Sequence, residues 1–246
     1  MAFVPRRGPT PPPPGFESLE IKTSDGIRLA GWKTTLPGEG PVFLYFCGNA
    51  GNLSDREDLL ARAAASGMAI IAFNYRGTGE SQGRATEEAI NPDAAEVYRF
   101  VLNDLGVDSS RVIFWGHSIG GAVASELGRQ HPPAGIVLEG TFRSAEVMAK
   151  RMLPFLPVSW LMTYKFNNED NVANLKCPSL FIHGSRDFTI PFADSEYLHR
   201  LAGNEAELWV VEGADHNDVY HVAADQFFPR LVQFGQRVVN KAQPVN

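Results

Sequence analysis

Only two cysteines occur in the 246 residues, Cys47 and Cys177, and no CxxC pair, so a secreted disulfide scaffold is excluded and reduced thiols are expected. No apolar run approaches the roughly 18 residues that a membrane span needs. The N-terminus carries Arg6-Arg7 followed by Gly-Pro-Thr-Pro instead of an apolar secretory segment, which makes cytoplasmic residence the expectation. Positive charge is also short: 22 lysines and arginines against 28 acidic residues give a formal net charge of -6, and no continuous basic face is left for a nucleic acid. The six histidines form no HExxH motif and no compact cluster with cysteine, so zinc chemistry has little support. GTGESQG, residues 77–83, lacks the Gly-Lys-Ser/Thr ending of a P-loop and the spacing of a dinucleotide fingerprint; no cofactor is expected.

What is present reads as one globular domain. Apolar residues make up 44% of the chain and charged residues 20%, a soluble balance in a length that fits a single substantial core. Residues 1–15 hold the run PTPPPP, which can form neither helix nor central strand and is expected to lie extended outside a domain spanning 16–246. Two short strands around 17–23 and 27–35 flank the turn Ser24-Asp25-Gly26 and predict an antiparallel hairpin. Further short apolar segments follow at 42–47, 69–74, 111–115, 135–139, 179–183 and 207–211, and helical patterns separate most of them. That alternation predicts strand–helix–strand units around a largely parallel sheet. Ser54 and Glu57 have capping-box spacing for a helix reaching about Ser66, and Asn91-Pro92 is read as the start of another that stops at Gly106. Asp218 is read as opening the terminal helix. Residues 143–178 interrupt the alternation, with Pro154 and Pro157 dividing an apolar stretch into short helical pieces, as a small cap would.

The chemistry centres on Gly116-His117-Ser118-Ile119-Gly120-Gly121, which follows the apolar run Val112-Ile113-Phe114-Trp115. A sharp strand-to-helix turn would hold Ser118 in a strained, exposed position, with glycine two places to either side leaving the hydroxyl approachable. Serine is a poor nucleophile without a base. His216 and Asp187 each follow a strand candidate, and parallel strands deliver their C-terminal ends to one edge. The assignment is Ser118 as nucleophile, His216 as proton shuttle and Asp187 as the carboxylate that orients the imidazole. Asp215 and Asp218 are rival acids, and His117, His131, His183, His199 and His221 are rival bases. A tetrahedral intermediate also needs oxyanion donors: the backbone N–H of Ile119 is one, and Asn49 is the preferred second, with Ala50 its alternative. Cys47, His117, Met148, Met152, Phe155, Leu156, Trp160 and Leu161 are candidate pocket residues.

FCGNAGN, NYRGTGESQG, GHSIGG, HGSRDFTIP and GADHND stand in an order that resembles the α/β-hydrolase family, specifically serine hydrolases of the Bem46 and ABHD12/13/17 type, over about residues 16–240. The resemblance implies a mostly parallel eight-stranded sheet flanked by helices and a Ser-Asp-His triad on Ser118, Asp187 and His216. In that family the oxyanion loop usually begins His-Gly, whereas this chain has Cys47-Gly48. Cys47 is read as a small buried residue beneath the loop, and Arg76 as a brace between loops, not a substrate clamp. The expected reaction is hydrolysis of small-molecule carboxylic esters with short or medium acyl chains through an acyl-enzyme. Acyl-protein thioesters, lysophospholipids and monoacylglycerols stay open as substrates, with peripheral contact to lipid. Peptide or amide cleavage, and a non-catalytic binding protein that keeps the triad-like residues, are the remaining alternatives.

Overall fold

The computed structural model describes residues 4–153, 155 and 164–242. Eight strands form one sheet: β1 (Glu17–Lys22), β2 (Arg28–Lys33), β3 (Val42–Phe46), β4 (Ala69–Phe73), β5 (Val112–His117), β6 (Gly135–Glu139), β7 (Ser179–Gly184) and β8 (Ala206–Val211), in the spatial order β8-β7-β6-β5-β3-β4-β2-β1. The six strands from β3 onward run parallel to their neighbours, while β1 and β2 form an antiparallel hairpin that joins the sheet through β4. Every residue of β3 through β7 is buried, the near-continuous apolar signature of strands covered on both faces. The chain steps from β3 outward to β4 and then returns to lay β5 on the other side of β3. That reversal opens a crevice beyond the C-terminal ends of β3 and β5, where ligands bind in open parallel sheets.

Among the described residues, the helices longer than one turn are α1 (Glu57–Ala65), α2 (Glu87–Asn103), α3 (Ile119–Gln130), α4 (Ala145–Met152), α5 (Asn168–Ala173) and α6 (Phe192–Ala202); the one-turn α7 (Val219–Val222) and the long α8 (Phe227–Ala242) close the chain. Three boundaries differ from the sequence reading. The capping box before α1 is made by Asn52 and Asp55, not Ser54 and Glu57: Asn52 Oδ1 accepts from Ser54 N at 2.9 Å and Asp55 Oδ2 accepts from Asn52 N at 2.9 Å, so a 3-10 turn over Leu53–Arg56 precedes the helix. α2 starts at Glu87 and carries Pro92 inside it. A tertiary anchor overrides the proline signal, because the Glu87 carboxylate accepts the backbone N–H groups of Lys165 and Phe166 and Ile90 is fully buried. The terminal helix does not run on from Asp218, since Ala224 takes φ 41° and breaks the chain direction between α7 and α8.

The Pro-rich leader was expected outside the domain, yet residues 4–10 lie along it. Val4–Pro5 pair in parallel with Ala50–Gly51, the N–H of Gly79 donates to the carbonyl of Arg6, and Trp32 Nε1 donates to the carbonyl of Thr10 at 2.8 Å. Trp32 is buried, and an indole N–H in that position needs an acceptor, which an extended proline-flanked segment offers without competing for donors. The insertion read as a cap is partly core-facing: α5 packs against α3 and α6, with Asn168 donating to Thr141 Oγ1 and to the carbonyl of Phe142. Its middle, including the pocket candidates Leu156, Trp160 and Leu161, lies outside the described residues.

Candidate active site

β5 ends at His117 and α3 begins at Ile119, so Ser118 alone makes the turn between them, with φ 56° and ψ −119°. Side chains with a β-carbon rarely adopt that conformation. The surroundings enforce it. The N–H of Ser118 donates to the carbonyl of Glu139 on β6 at 2.8 Å, and its own carbonyl accepts from Thr141 Oγ1 at 2.9 Å and from the N–H of Gly121 at 3.0 Å. The glycines around it are required for a reason beyond keeping the hydroxyl accessible. A β-carbon at Gly116 would stand 2.4 Å from the carbonyl oxygen of Gly120, and one at Gly120 would stand 2.1 Å from that of Phe46. Helix α3 therefore starts with its backbone pressed against the ends of β3 and β5.

His216 and Asp187 arrive from the loops after β8 and β7. His216 Nε2 lies 3.1 Å from Ser118 Oγ, and His216 Nδ1 lies 2.7 Å from Asp187 Oδ2. A carboxylate only accepts, so Nδ1 carries the proton and Nε2 presents a lone pair to the serine hydroxyl. The other carboxylate oxygen of Asp187 accepts the N–H groups of Thr189 at 2.8 Å and Ile190 at 2.7 Å. Burial opposes ionisation of Asp187, but hydrogen bonds from His183, His216 and the N–H of Ile190 outweigh it and hold the carboxyl well below the usual carboxylate range. The rival acids are turned to backbone: Asp215 accepts from Phe188 N and His216 N, and Asp218 accepts from Asp215 N. They shape the loop that carries His216.

His183 makes a contact that strand pattern alone left open. Its Nε2–H donates to the carbonyl of Ile190 at 2.8 Å and stands 3.3 Å from Asp187 Oδ2, while Ser195 Oγ donates to its Nδ1 at 2.7 Å. It thereby holds both the carboxylate and the turn that supplies the carboxylate's backbone donors. The remaining rivals lie elsewhere, His199 against the carbonyl of Ala206 and His221 near Asp58. His131 is the residue that ends α3.

Behind the histidine sits a polar layer that the sequence did not signal. His117, fully enclosed, donates from Nε2 to the carbonyl of His216 at 3.1 Å, and its ring centroid is 5.0 Å from that of His216. Burial, with Arg56 and His216 nearby, pushes its pKa well below the ordinary histidine value, so it is a neutral neighbour. His117 pairs in register with Glu139, whose carboxylate accepts from Trp115 Nε1 at 2.9 Å and whose pKa burial raises. The Cys47 thiol is buried and pushed up to about 12 by desolvation, which makes it inert and fits a small residue beneath the loop.

Of the two expected donors, Ile119 is the first residue of α3, where a helix's N–H groups lack an intrahelical acceptor, and Asn49 lies in the bend after β3. The loop after β3 is pinned at its start, where Tyr75 donates its hydroxyl to the carbonyl of Cys47 at 3.0 Å. The pocket candidates divide. Met148 is buried, whereas Met152 and Phe155 are 75% and 97% exposed, and His117 and Cys47 are buried. A cavity of about 350 Å³ beside α4, lined by residues including Arg143, Ser144, Val147 and Lys165, takes in none of Ser118, Asp187 or His216. Arg76 pairs with Asp93 and Asp25 and braces the loop that carries it.

The family description "alpha/beta hydrolase fold" matches residues 41–173. Uncharacterized protein Rv2307c of Mycobacterium tuberculosis is 33% identical over 224 residues, covering 89% of this chain and 80% of that protein. Lysophosphatidylserine lipase ABHD12 of Xenopus tropicalis is 32% identical over 201 residues, covering 74% of this chain and 52% of the lipase. Among solved structures, the Pyrococcus furiosus esterase Pf2001 superposes with a TM-score of 0.78 at 20% identity, over 96% of this chain and 99% of that one, a likeness of fold. With the sheet order, the strained Ser118 turn and these likenesses in hand, the chain belongs to the α/β-hydrolase family.

Proposed function

We propose that this protein is a serine hydrolase that cleaves carboxylic esters of short or medium acyl chains through an acyl-enzyme on Ser118. The observation that carries this reading is the unbroken chain of hydrogen bonds from Ser118 Oγ through His216 to Asp187. His216 Nε2 takes the hydroxyl proton as Ser118 Oγ attacks the substrate carbonyl, and Asp187 stabilises the imidazolium that forms. The N–H groups of Ile119 and Asn49 receive the oxyanion, and the positive end of α3 adds to their field. The imidazolium then protonates the departing alkoxide. Water, deprotonated by His216, attacks the acyl-enzyme, and the proton returns to Ser118 as the acid leaves.

No metal or cofactor enters this cycle, and cytoplasmic residence stays part of the reading; no helix among the described residues is long and apolar enough to cross a membrane. The name of the ABHD12 relative, a lysophosphatidylserine lipase, favours lysophospholipids as a second substrate class. Exposed Met152, Leu153, Phe155 and Phe188, the last directly after Asp187, offer apolar surface to an acyl chain of that kind. The test is labelling of Ser118 by a fluorophosphonate, lost in Ser118→Ala, followed by kcat/KM across esters of increasing acyl length, thioesters and amides. Labelling with ester turnover is the expected result. A folded protein that does not label is a binding protein instead, and one that labels but prefers amides is an amidase.

A further inference from the structure

The oxyanion loop after β3 is clamped at two ends by different parts of the chain. Tyr75 and the close approach of Gly120 fix residues 46 and 47. The other end is held by the N-terminal segment. The N–H of Arg6 donates to the carbonyl of Gly51 at 3.3 Å, the carbonyl of Arg6 accepts from Asn52 Nδ2 at 3.2 Å, and the Arg6 guanidinium reaches Asn52 Oδ1 at 3.3 Å and Asp55 Oδ1 at 2.8 Å. Asn52 and Asp55 are the capping pair that closes the loop onto α1, so one arginine touches both halves of that box. The strap is itself anchored downstream: the N–H of Gly79 donates to the Arg6 carbonyl at 2.8 Å, and Thr10 Oγ1 accepts from Asn74 Nδ2, whose Oδ1 accepts from Leu53 N at 2.9 Å. Asn49 stands between the two clamps.

We infer that Arg6 is a positioning residue for the oxyanion loop, holding the Asn49 N–H at the distance that the tetrahedral intermediate requires; this rests on the Ser118 hydrolase reading. The physical argument separates position from stability. The Arg6 side chain is 55% exposed and its partner Asp55 36%, and an ion pair so placed contributes little to the folding free energy. Its directed contacts to Asn52 and Asp55 still restrict where the loop can sit. An oxyanion donor is worth a factor of about 10² to 10³ in turnover, and a displacement of well under 1 Å forfeits part of it. Ground-state binding of the ester makes no comparable demand, so the loss falls on kcat and leaves KM nearly unchanged.

The experiment compares Arg6→Ala, Arg6→Lys, a variant lacking residues 2–9, and Arg7→Ala, whose side chain donates to the carbonyl of Gly83 away from the loop. Read-outs are kcat and KM on a p-nitrophenyl butyrate assay, Tm, and hydrogen exchange at the amides of residues 48–52. The deletion should lower kcat about tenfold or more with KM within about twofold, and Arg6→Ala about three- to fivefold, with faster exchange at 48–52. Arg6→Lys should recover part of the loss, because an ammonium keeps the pairing with Asp55, and Arg7→Ala should match the parent protein. Unchanged kcat and exchange in both Arg6→Ala and the deletion overturn the inference, as does a rise in KM equal to the fall in rate. If the deletion does not fold, Arg6→Ala alone decides. If the parent protein neither labels nor turns over ester, the Ser118 reading falls, and exchange at 48–52 still decides whether the strap holds the loop.

Discussion

The imidazole of His117 donates its Nε2 proton to the backbone carbonyl of His216, 3.1 Å away, so the residue beside Ser118 holds the chain that carries the His216 ring. Buried against Arg56, His216 and Asp187, His117 stays neutral in the folded protein, with a pKa well below that of the unfolded chain. A depressed histidine pKa means that the unfolded state binds more protons below about pH 6.5, so the stabilisation is complete above that value and is lost as pH falls toward the folded pKa. Replacing it by Gln keeps an N–H donor and removes the titration. Between pH 7.5 and pH 5.0, His117→Gln should lose about 1–2 kcal/mol less unfolding free energy than the parent protein in denaturant titrations. Parallel pH profiles would show that His117 is not the group responsible.

Ser118 holds φ 56° with a β-carbon in place, and that conformation costs of order 1–3 kcal/mol. Ser118→Gly should raise the unfolding free energy by about 1 kcal/mol while abolishing ester turnover, since glycine adopts the same turn without strain. A less stable Ser118→Gly protein would mean that the turn is not strained.

A β-carbon at Gly120 meets the carbonyl oxygens of Phe46 and Cys47 at 2.1 and 2.5 Å, and both are backbone atoms that no side-chain rotation can move. Gly120→Ala should cost about 3 kcal/mol or more and reduce soluble yield, measured by thermal unfolding. Gly38→Ala, where nothing lies within reach of the new atom, is the matched control with a change near zero.

Asp187→Asn exchanges the carboxylate for a neutral amide and frees the tautomer of His216. Turnover should fall by about 10³ to 10⁴ with KM little changed, read in steady-state ester assays. The folded pKa of Asp187 is depressed, so its contribution to stability is present above the unfolded value near 4 and is lost as pH falls through the folded one. The acid limb of the stability profile below about pH 4 should accordingly be shallower in Asp187→Asn. An identical acid limb would assign that loss to other carboxylates.

Much of the site was legible from local pattern. The glycines around Ser118 and the positions of Asp187 and His216 just past apolar strands placed all three at one sheet edge, because strand direction and burial are written in short-range composition. The roles of His183 and His117 were not legible. Each depends on which backbone carbonyl stands opposite a ring nitrogen, Ile190 for one and His216 for the other, and that is set by loop conformation. The start of α2 was misread at Pro92 because the glutamate that anchors it, Glu87, finds its donors at Lys165 and Phe166, almost eighty residues away.

The sequence by itself determined the strand-and-helix alternation, the turn at Ser118 and the serine, aspartate and histidine that follow strands at one sheet edge, since these follow from periodicity, glycine placement and side-chain chemistry within a few residues. Only the tertiary structure decided that the segment from Val4 to Thr10 runs along the domain, with Arg6 at the loop after β3 and the Thr10 carbonyl on the Trp32 indole. A proline-rich segment has no internal hydrogen bonds to declare its conformation, and its place is fixed by partners at Trp32, Asn52 and Gly79 that become neighbours when the sheet closes.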